Sequence, residues 1–269
     1  MVETIATRHF SLAAAARSTF TAWDLLIAVT ARDLRVTYQA TFFSYLWWIA
    51  RPLAMGLVLY FALGRVLRLD IPNYSVFLLS ALFPWFWFSG SVQQSSATFI
   101  GNSGLLKKVQ FPRLILPLSA VFYNTVQFLL ALPVLTLFVL VAGIDPDVAW
   151  VVGIPLLLTL QLLLLIGLGA LVSSLSVFFR DLGPLLGVVL LLMFYVSPII
   201  YPMERVPEKF KSILLLNPVA PLIEGWRELF LEGSVPGTEL WPTVVLTAAA
   251  LVLGLGVFRT LEKYFADAL

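Results

Sequence analysis

Apolar positions in this chain come in long runs, and the charges fall almost entirely between them. The runs cover 42–64, 74–94, 115–142, 149–179, 184–201 and 240–258. Each is about the length an α-helix needs to cross some 30 Å of hydrocarbon. The pattern predicts an all-α integral membrane protein with six transmembrane helices.

Three stretches outside the runs read differently. In 23–38, apolar Trp23, Leu26, Ile27, Leu34 and Tyr38 recur at helical spacing, with Arg32, Asp33 and Arg35 on the other side. That is an amphipathic helix too often interrupted by charge to span, so it is expected in the interface with its arginines towards anionic headgroups. The stretch 202–239 holds two short helical patterns, 207–216 and 221–232, split by Asn217-Pro218, which cannot continue a helix. Neither is long enough to cross, and together they predict a re-entrant or interfacial helical hairpin. Glu224, Arg227 and Glu228 stand at helical spacing within it and read as a solvated face with a local ion pair.

The third stretch, 105–114, is a basic knot of Lys107, Lys108 and Arg113 bracketed by Gly104 and Pro112. Charge is costly in hydrocarbon, so the knot belongs where the bilayer stops. Gly104 and Pro112 favour a short turn-and-helix element there over a simple hairpin. A docking surface for another protein and a positive loop that fixes orientation both fit these residues. The runs are not featureless either. Arg51-Pro52 interrupts the first, placing a cation below the surface unless it snorkels to the headgroups. Phe83-Pro84-Trp85-Phe86-Trp87-Phe88 in the second is either an interfacial belt or a stacking surface for sugar rings. Gly183 and Gly187 supply a small-xxx-small pattern for close helix packing.

Composition agrees: 60% hydrophobic, 12% charged, with a mean hydropathy of +0.96, far too apolar for a soluble domain. It also removes chemistry. There is no Cys, and the one His, His9, lies near the terminus, so disulfides, thiolate metal sites and histidine acid–base pairs are absent. The net charge of +2 does not suggest a nucleic-acid partner. No P-loop motif occurs, and no Asp or Glu falls in any of the six runs. Ion-coupled carriers usually keep such carboxylates near the midplane, so a self-powered carrier is disfavoured. Arg180-Asp181, at a membrane edge, has no third member to make a hydrolase. The chain is expected not to be an enzyme, and energy must come from another chain. The patch Ala13–Ala16 is too short for a signal peptide, and cations concentrate on the side holding 8–35, 107–113, 180 and 259–263. Both termini are therefore expected in the cytoplasm, with 1–269 a single membrane domain and no internal repeat.

Several segments also carry a family likeness. They are Arg32-Asp-Leu-Arg-Val-Thr-Tyr38 leading to Trp47-Trp48 and Pro52; Phe83-Pro-Trp85; Asn-Ser-Gly-Leu-Leu-Lys-Lys-Val-Gln-Phe-Pro-Arg-Leu-Ile-Leu-Pro over 102–117; Phe179-Arg-Asp-Leu182; Ser197-Pro-Ile-Ile-Tyr-Pro202; and Asn217-Pro-Val-Ala-Pro-Leu-Ile-Glu-Gly-Trp-Arg227. In these motifs and their order the chain resembles the membrane subunits of type-2 ABC exporters, specifically those for O antigen, capsule or teichoic acid. The resemblance implies a homodimer in a bacterial inner membrane, bound to two copies of a cytoplasmic ATPase that holds ATP and Mg, with no cofactor in this chain. It implies a lipid-linked glycan as cargo. It makes Arg32, Arg35, Leu105, Lys107, Lys108, Phe111 and Arg113 coupling residues, and the hairpin with Asn217, Pro218, Glu224 and Arg227 an external gate. Trp47, Trp48, Arg51, Phe194 and Tyr195, with Phe83, Trp85 and Trp87 from the aromatic cluster, are expected along the conduit. Phe43-Ser44 and Arg51 depart from the family pattern. A type-2 exporter of a small drug or lipid would share every topological feature; a lipid-modifying enzyme and a scaffold are the readings from other classes.

Overall fold

The computed structural model describes residues 12–39, 44–102, 104 and 111–268. Among them every regular element is helical, as hydrocarbon requires of a chain whose backbone polar groups must be satisfied internally. In chain order the elements are α1 (Leu12–Gln39), α2 (Ser44–Leu59, continuing as a π-helix over Tyr60–Val66), α3 (Tyr74–Gly101) and α4 (Ile115–Val141). After them come α5 (Ala149–Phe178), α6 (Leu182–Val196), α7 (Glu208–Leu214), α8 (Val219–Leu231) and α9 (Trp241–Leu261).

Among the described residues, five helices are long and apolar enough to cross a membrane: Trp47–Val66, Tyr74–Gly101, Ile115–Val141, Ala149–Phe178 and Thr238–Tyr264. The fifth apolar run behaves differently from the expectation of a sixth full span. Its helix stops at Val196 after 15 residues, roughly 22 Å of rise against a hydrocarbon layer of about 30 Å. The cause is Pro198, which forces Ser197 out of the helical region to ψ 148. The rest of the run becomes an irregular strap held by side chains: Tyr201 Oη donates to the Val196 carbonyl at 2.6 Å, Tyr74 Oη to that of Ile200 at 3.1 Å and Asn217 Nδ2 to Ser197 Oγ at 2.7 Å.

α3 is the central post. It is buried along most of its length and packs against α2, α4, α5, α6 and α8, whereas α9 leans chiefly on α5. α1 is longer than the expected 23–38 and closes one end of the bundle. Leu26 and Val29 sink into a cluster with Phe99, Leu116, Phe258 and Phe265, and Trp23 meets Phe122 edge-on at 5.8 Å. Ile27 and Val36 face outward, so α1 has one apolar flank on the protein and another free for the interface.

The hairpin helix α8 is a core element, not a surface one. Its face Leu222, Ile223, Trp226, Leu229 and Phe230 is buried against α3 and α5. Trp226 stacks on Phe230 and meets Phe128, which in turn stacks on Trp87. The Trp226 indole Nε1 donates to Gln161 Oε1 at 3.0 Å, and Gln161 Nε2 donates to the Pro84 carbonyl at 2.9 Å. One buried amide thus ties α8 and α5 to α3. Gln161→Leu is expected to lower stability by about 1–3 kcal/mol, since it leaves the indole N–H buried without an acceptor. Trp226→Phe should cost a similar amount and the pair less than the sum, which thermal unfolding of the four proteins in detergent would measure.

Candidate functional site: an open stripe on the central helix and a clamp at the hairpin

At the end closed by α1, Arg32 lies exposed on α1 and holds Asp33 at 2.7 Å and Asn102 Oδ1 at 3.1 Å. That hydrogen bond pins α1 to the end of α3. Arg35 is exposed, Phe111 and Arg113 are half-buried, and Arg113 donates to the Glu262 carbonyl. The start of α4 is thereby fastened to the chain just after α9. The other expected coupling residues, Leu105, Lys107 and Lys108, lie outside the described residues.

The expected conduit residues separate into two groups. Trp47 and Tyr195 are exposed, Trp48 is half-buried, and Arg51 is exposed on α2. Phe83, Trp85, Trp87 and Phe194 are instead buried in the core. Trp87 stacks on Phe128 at 4.7 Å and donates to Thr125 Oγ1 at 3.1 Å, while Trp85 packs on Phe194 at 5.7 Å. The aromatic cluster is therefore mostly packing between helices, neither an interfacial belt nor a surface open to sugar rings. Phe86 alone of the cluster turns outward, half-exposed beneath Arg51, whose guanidinium lies 5.9 Å from the ring centre.

Phe86 heads a stripe that the sequence reading missed. Phe86, Ser89, Gly90, Gln93, Ala97 and Ile100 follow helical spacing and, with Gln94 and Gly101, are the positions of the 86–101 half of α3 that are not buried. On one border α2 reaches over with Arg51; on the other, Gln93 Nε2 donates to the Gly183 carbonyl at 3.2 Å, at the start of α6. Small or uncharged polar residues at 89, 90, 93 and 97 were visible in the sequence, but among other polar residues, Ser91, Gln94, Ser95, Ser96 and Thr98, that the fold buries or half-buries. A lipid-facing surface has little use for a glutamine and an arginine, so the stripe marks a face turned to something more polar than acyl chains.

At the opposite end the hairpin carries a buried cation. Arg227 is 5% exposed, which overturns the reading of its neighbourhood as a solvated face. Its guanidinium pairs with Glu224 at 2.6 Å, donates to the Pro198 carbonyl at 2.7 Å and the Ile199 carbonyl at 3.2 Å, and lies 3.6 Å from the centre of the Phe77 ring. A charge run looks solvated on a helical wheel, but the strap left by the short α6 presents carbonyls where the cation arrives. Burial lowers the affinity of Arg227 for its proton and raises that of Glu224, each effect opposed by the other partner's charge. Beside the pair lies a cavity of about 980 Å³ whose walls carry Glu204, Glu224, Glu228, Glu232 and Glu239 against Lys211 and Arg227. Asn217 does double duty at the hairpin turn, accepting from the Val219 N–H at 3.1 Å while donating to Ser197. Pro218 stands at the N-cap of α8 and its carbonyl accepts from Thr243 Oγ1.

A multi-pass bundle with a core-packed hairpin, an amphipathic entry helix and no span carboxylate narrows the class, and comparison with known proteins decides it. The pattern of the ABC-2 type transporter family matches residues 24–231, from α1 to the end of α8. The chain belongs to that family. It is a transport subunit. Among its relatives, the O-antigen export system permease protein RfbA of Klebsiella pneumoniae is 40% identical over 248 residues, covering 92% of this chain and 95% of that one. A protein of the same name from Myxococcus xanthus is 32% identical over 91% of this chain and 95% of its own length. The polysialic acid transport protein KpsM of Escherichia coli is 27% identical over 92% and 98% respectively.

Proposed function

We propose that this ABC-2 chain is the membrane subunit of an ATP-driven exporter that moves a lipid-linked polysaccharide of the O-antigen type across a bacterial inner membrane. The observation that carries the reading is the end-to-end likeness, at 40% identity, to an O-antigen export permease. The sequence supports the division of labour: with no P-loop and no carboxylate in any span, this chain has neither a nucleotide site nor the means to couple to an ion. A separate ATPase, in two copies on a homodimer of this chain, binds ATP and Mg and supplies the work. Both termini face the cytoplasm, the basic end meets the ATPase, and the hairpin lies on the far side.

In this reading force enters at Arg32, Arg35, Leu105, Lys107, Lys108, Phe111 and Arg113. The bond from Arg32 to Asn102 passes it to α3. Because α3 is one helix from Tyr74 to Gly101 and is tied through Gln161 and Phe77 to α8, a displacement at one end reaches the hairpin at the other without an intervening loop. Asn217, Pro218, Glu224 and Arg227 then work as the parts of the gate, and the open stripe of α3 with Trp47, Trp48, Arg51 and Tyr195 forms one wall of the conduit.

The test is reconstitution of the chain with its ATPase in vesicles loaded with lipid-linked polymer. ATP is expected to bring polymer across, and a chain without the partner to bring none. Lys107→Glu combined with Lys108→Glu should cut ATP-dependent transport by about tenfold or more, the scale of one lost interfacial charge pair, at unchanged membrane levels. Full transport by that double variant would remove the basic knot from the coupling surface.

A further inference from the structure

Arg51 is a cation at mid-depth with no carboxylate partner among the described residues. Its guanidinium lies 5.9 Å from the Phe86 ring centre, and Phe86 stands twelve residues in from Tyr74 and fifteen before Gly101 on the unbroken α3. At 1.5 Å per residue that is roughly 18 and 22 Å from the two ends of the helix. The α1 cluster that closes the bundle sits thirteen residues further along, at Phe99, roughly 20 Å of helix rise from Phe86. Phe86 offers a cation–π contact, which is weaker than the cost of holding a guanidinium in hydrocarbon.

The missing partner cannot come from another span. No Asp or Glu occurs in 44–66, 74–101, 115–141, 149–178, 182–196 or 240–258, so a second copy packed against this face brings no carboxylate to that depth either. Yet Arg51 is exposed rather than folded into the core, and the ring it lies over, Phe86, heads the stripe that continues through Ser89, Gly90 and Gln93. Pro52 adds an acceptor beside the cation, because it removes the helix bond to the Trp48 carbonyl.

We propose that Arg51 is an anion-binding site within the membrane that takes the phosphate of a lipid-linked cargo as it crosses. This rests on the exporter reading. A guanidinium forks two N–H groups onto two oxygens of one phosphate, a match that a point charge does not reproduce. The freed Trp48 carbonyl accepts from a sugar hydroxyl next to that phosphate. Arg51 thus places the charged junction of the cargo midway, between entry at the basic end and release at the hairpin.

The test uses the full-length chain purified with its ATPase in nanodiscs, as wild type, Arg51→Gln and Arg51→Lys. Binding of a polyprenyl diphosphate, of the neutral polyprenol and of a soluble oligoglucuronate is measured directly, alongside lipid-stimulated ATP hydrolysis. The diphosphate is expected to bind the wild type about tenfold more tightly than Arg51→Gln, with Arg51→Lys in between and polyprenol binding unchanged across the three. Equal diphosphate binding by all three proteins overturns the site. So does a loss confined to the oligoglucuronate, which would assign Arg51 to sugar carboxylates. If no lipid stimulates hydrolysis in the wild type while diphosphate binding still depends on Arg51, the site stands and the exporter reading fails. An Arg51→Gln protein that does not fold leaves the Arg51→Lys comparison to decide, since it keeps the charge and loses only the fork.

Discussion

Gly254→Leu is expected to abolish the assembled bundle. A side chain at Gly254 would begin 2.0 Å from the Gly167 carbonyl oxygen and 2.8 Å from its carbon, and one at Gly167 would begin 2.5 Å from the carbonyl carbon of Ala250. Both obstacles are backbone, which cannot swing aside as a side chain does. α9 is largely exposed and leans chiefly on α5, so losing this contact leaves it little else. Ordinary overpacking costs about 1–3 kcal/mol; backbone against backbone at such separations exceeds that, and even Gly254→Ala should lower the unfolding temperature by several degrees. Gly256→Ala is the control, because nothing lies within 4 Å of that position. Size-exclusion profiles and thermal unfolding of the detergent-solubilised proteins would check the order, with Gly256→Ala like the wild type, Gly254→Ala weakened and Gly254→Leu not recovered folded.

This contact also shows how far the sequence could be read. The pattern that drew notice was Gly183 with Gly187, yet those glycines have only Ser96 and Gln93 side-chain atoms at 3.6 and 4.0 Å. The tight crossing is at Ala250 and Gly254, an equally visible small-xxx-small pair, and nothing in one sequence says which of two such pairs meets another helix. The long runs were legible because a bilayer sets helix length and forbids charge, constraints that act on each helix alone. Run 184–201 is longer than its helix because its length was counted through Pro198, where the helix has already ended. The aromatic cluster misled because its rings had a familiar surface use, whereas 0% exposure at Trp87 and Phe83 reflects neighbours α4, α5 and α8 arriving from far along the chain. Arg227 looked solvated for the same reason. Its carbonyl partners lie 28 and 29 residues earlier, on a strap that exists only because α6 ends short. Where the partner was another part of the protein, it took the fold to supply it.

Arg227 is also where the second large effect is expected. Arg227→Met removes the ion pair to Glu224, two hydrogen bonds to the strap and the contact with Phe77, and leaves Glu224 facing a site built for its counter-ion. Breaking a buried pair by deleting one partner costs on the order of 3–5 kcal/mol. Arg227→Lys keeps the charge but cannot reach a carboxylate and two carbonyls through one planar fork, so it should recover only part. Glu224→Gln separates the charge from the geometry. Burial, the largest influence on Glu224, raises its folded pKa above the ordinary glutamate value, with Arg227 pulling the other way. In the interval between those two values the folded protein holds a proton that the unfolded chain has lost, so stability falls as pH rises through it and levels off above the folded pKa. Glu224→Gln should flatten that slope without the collapse expected of Arg227→Met, because Arg227 keeps its carbonyl and ring contacts. Unfolding of the three proteins followed at a series of mildly acidic pH values would show it; a slope that survives in Glu224→Gln would move the titrating group elsewhere in the acidic cavity. The outcome bears on transport as well as stability. A helix held by a guanidinium on backbone carbonyls stays seated when Glu224 is neutralised, so under the proposed gate role acid on the hairpin side should leave the exporter closed rather than leaking.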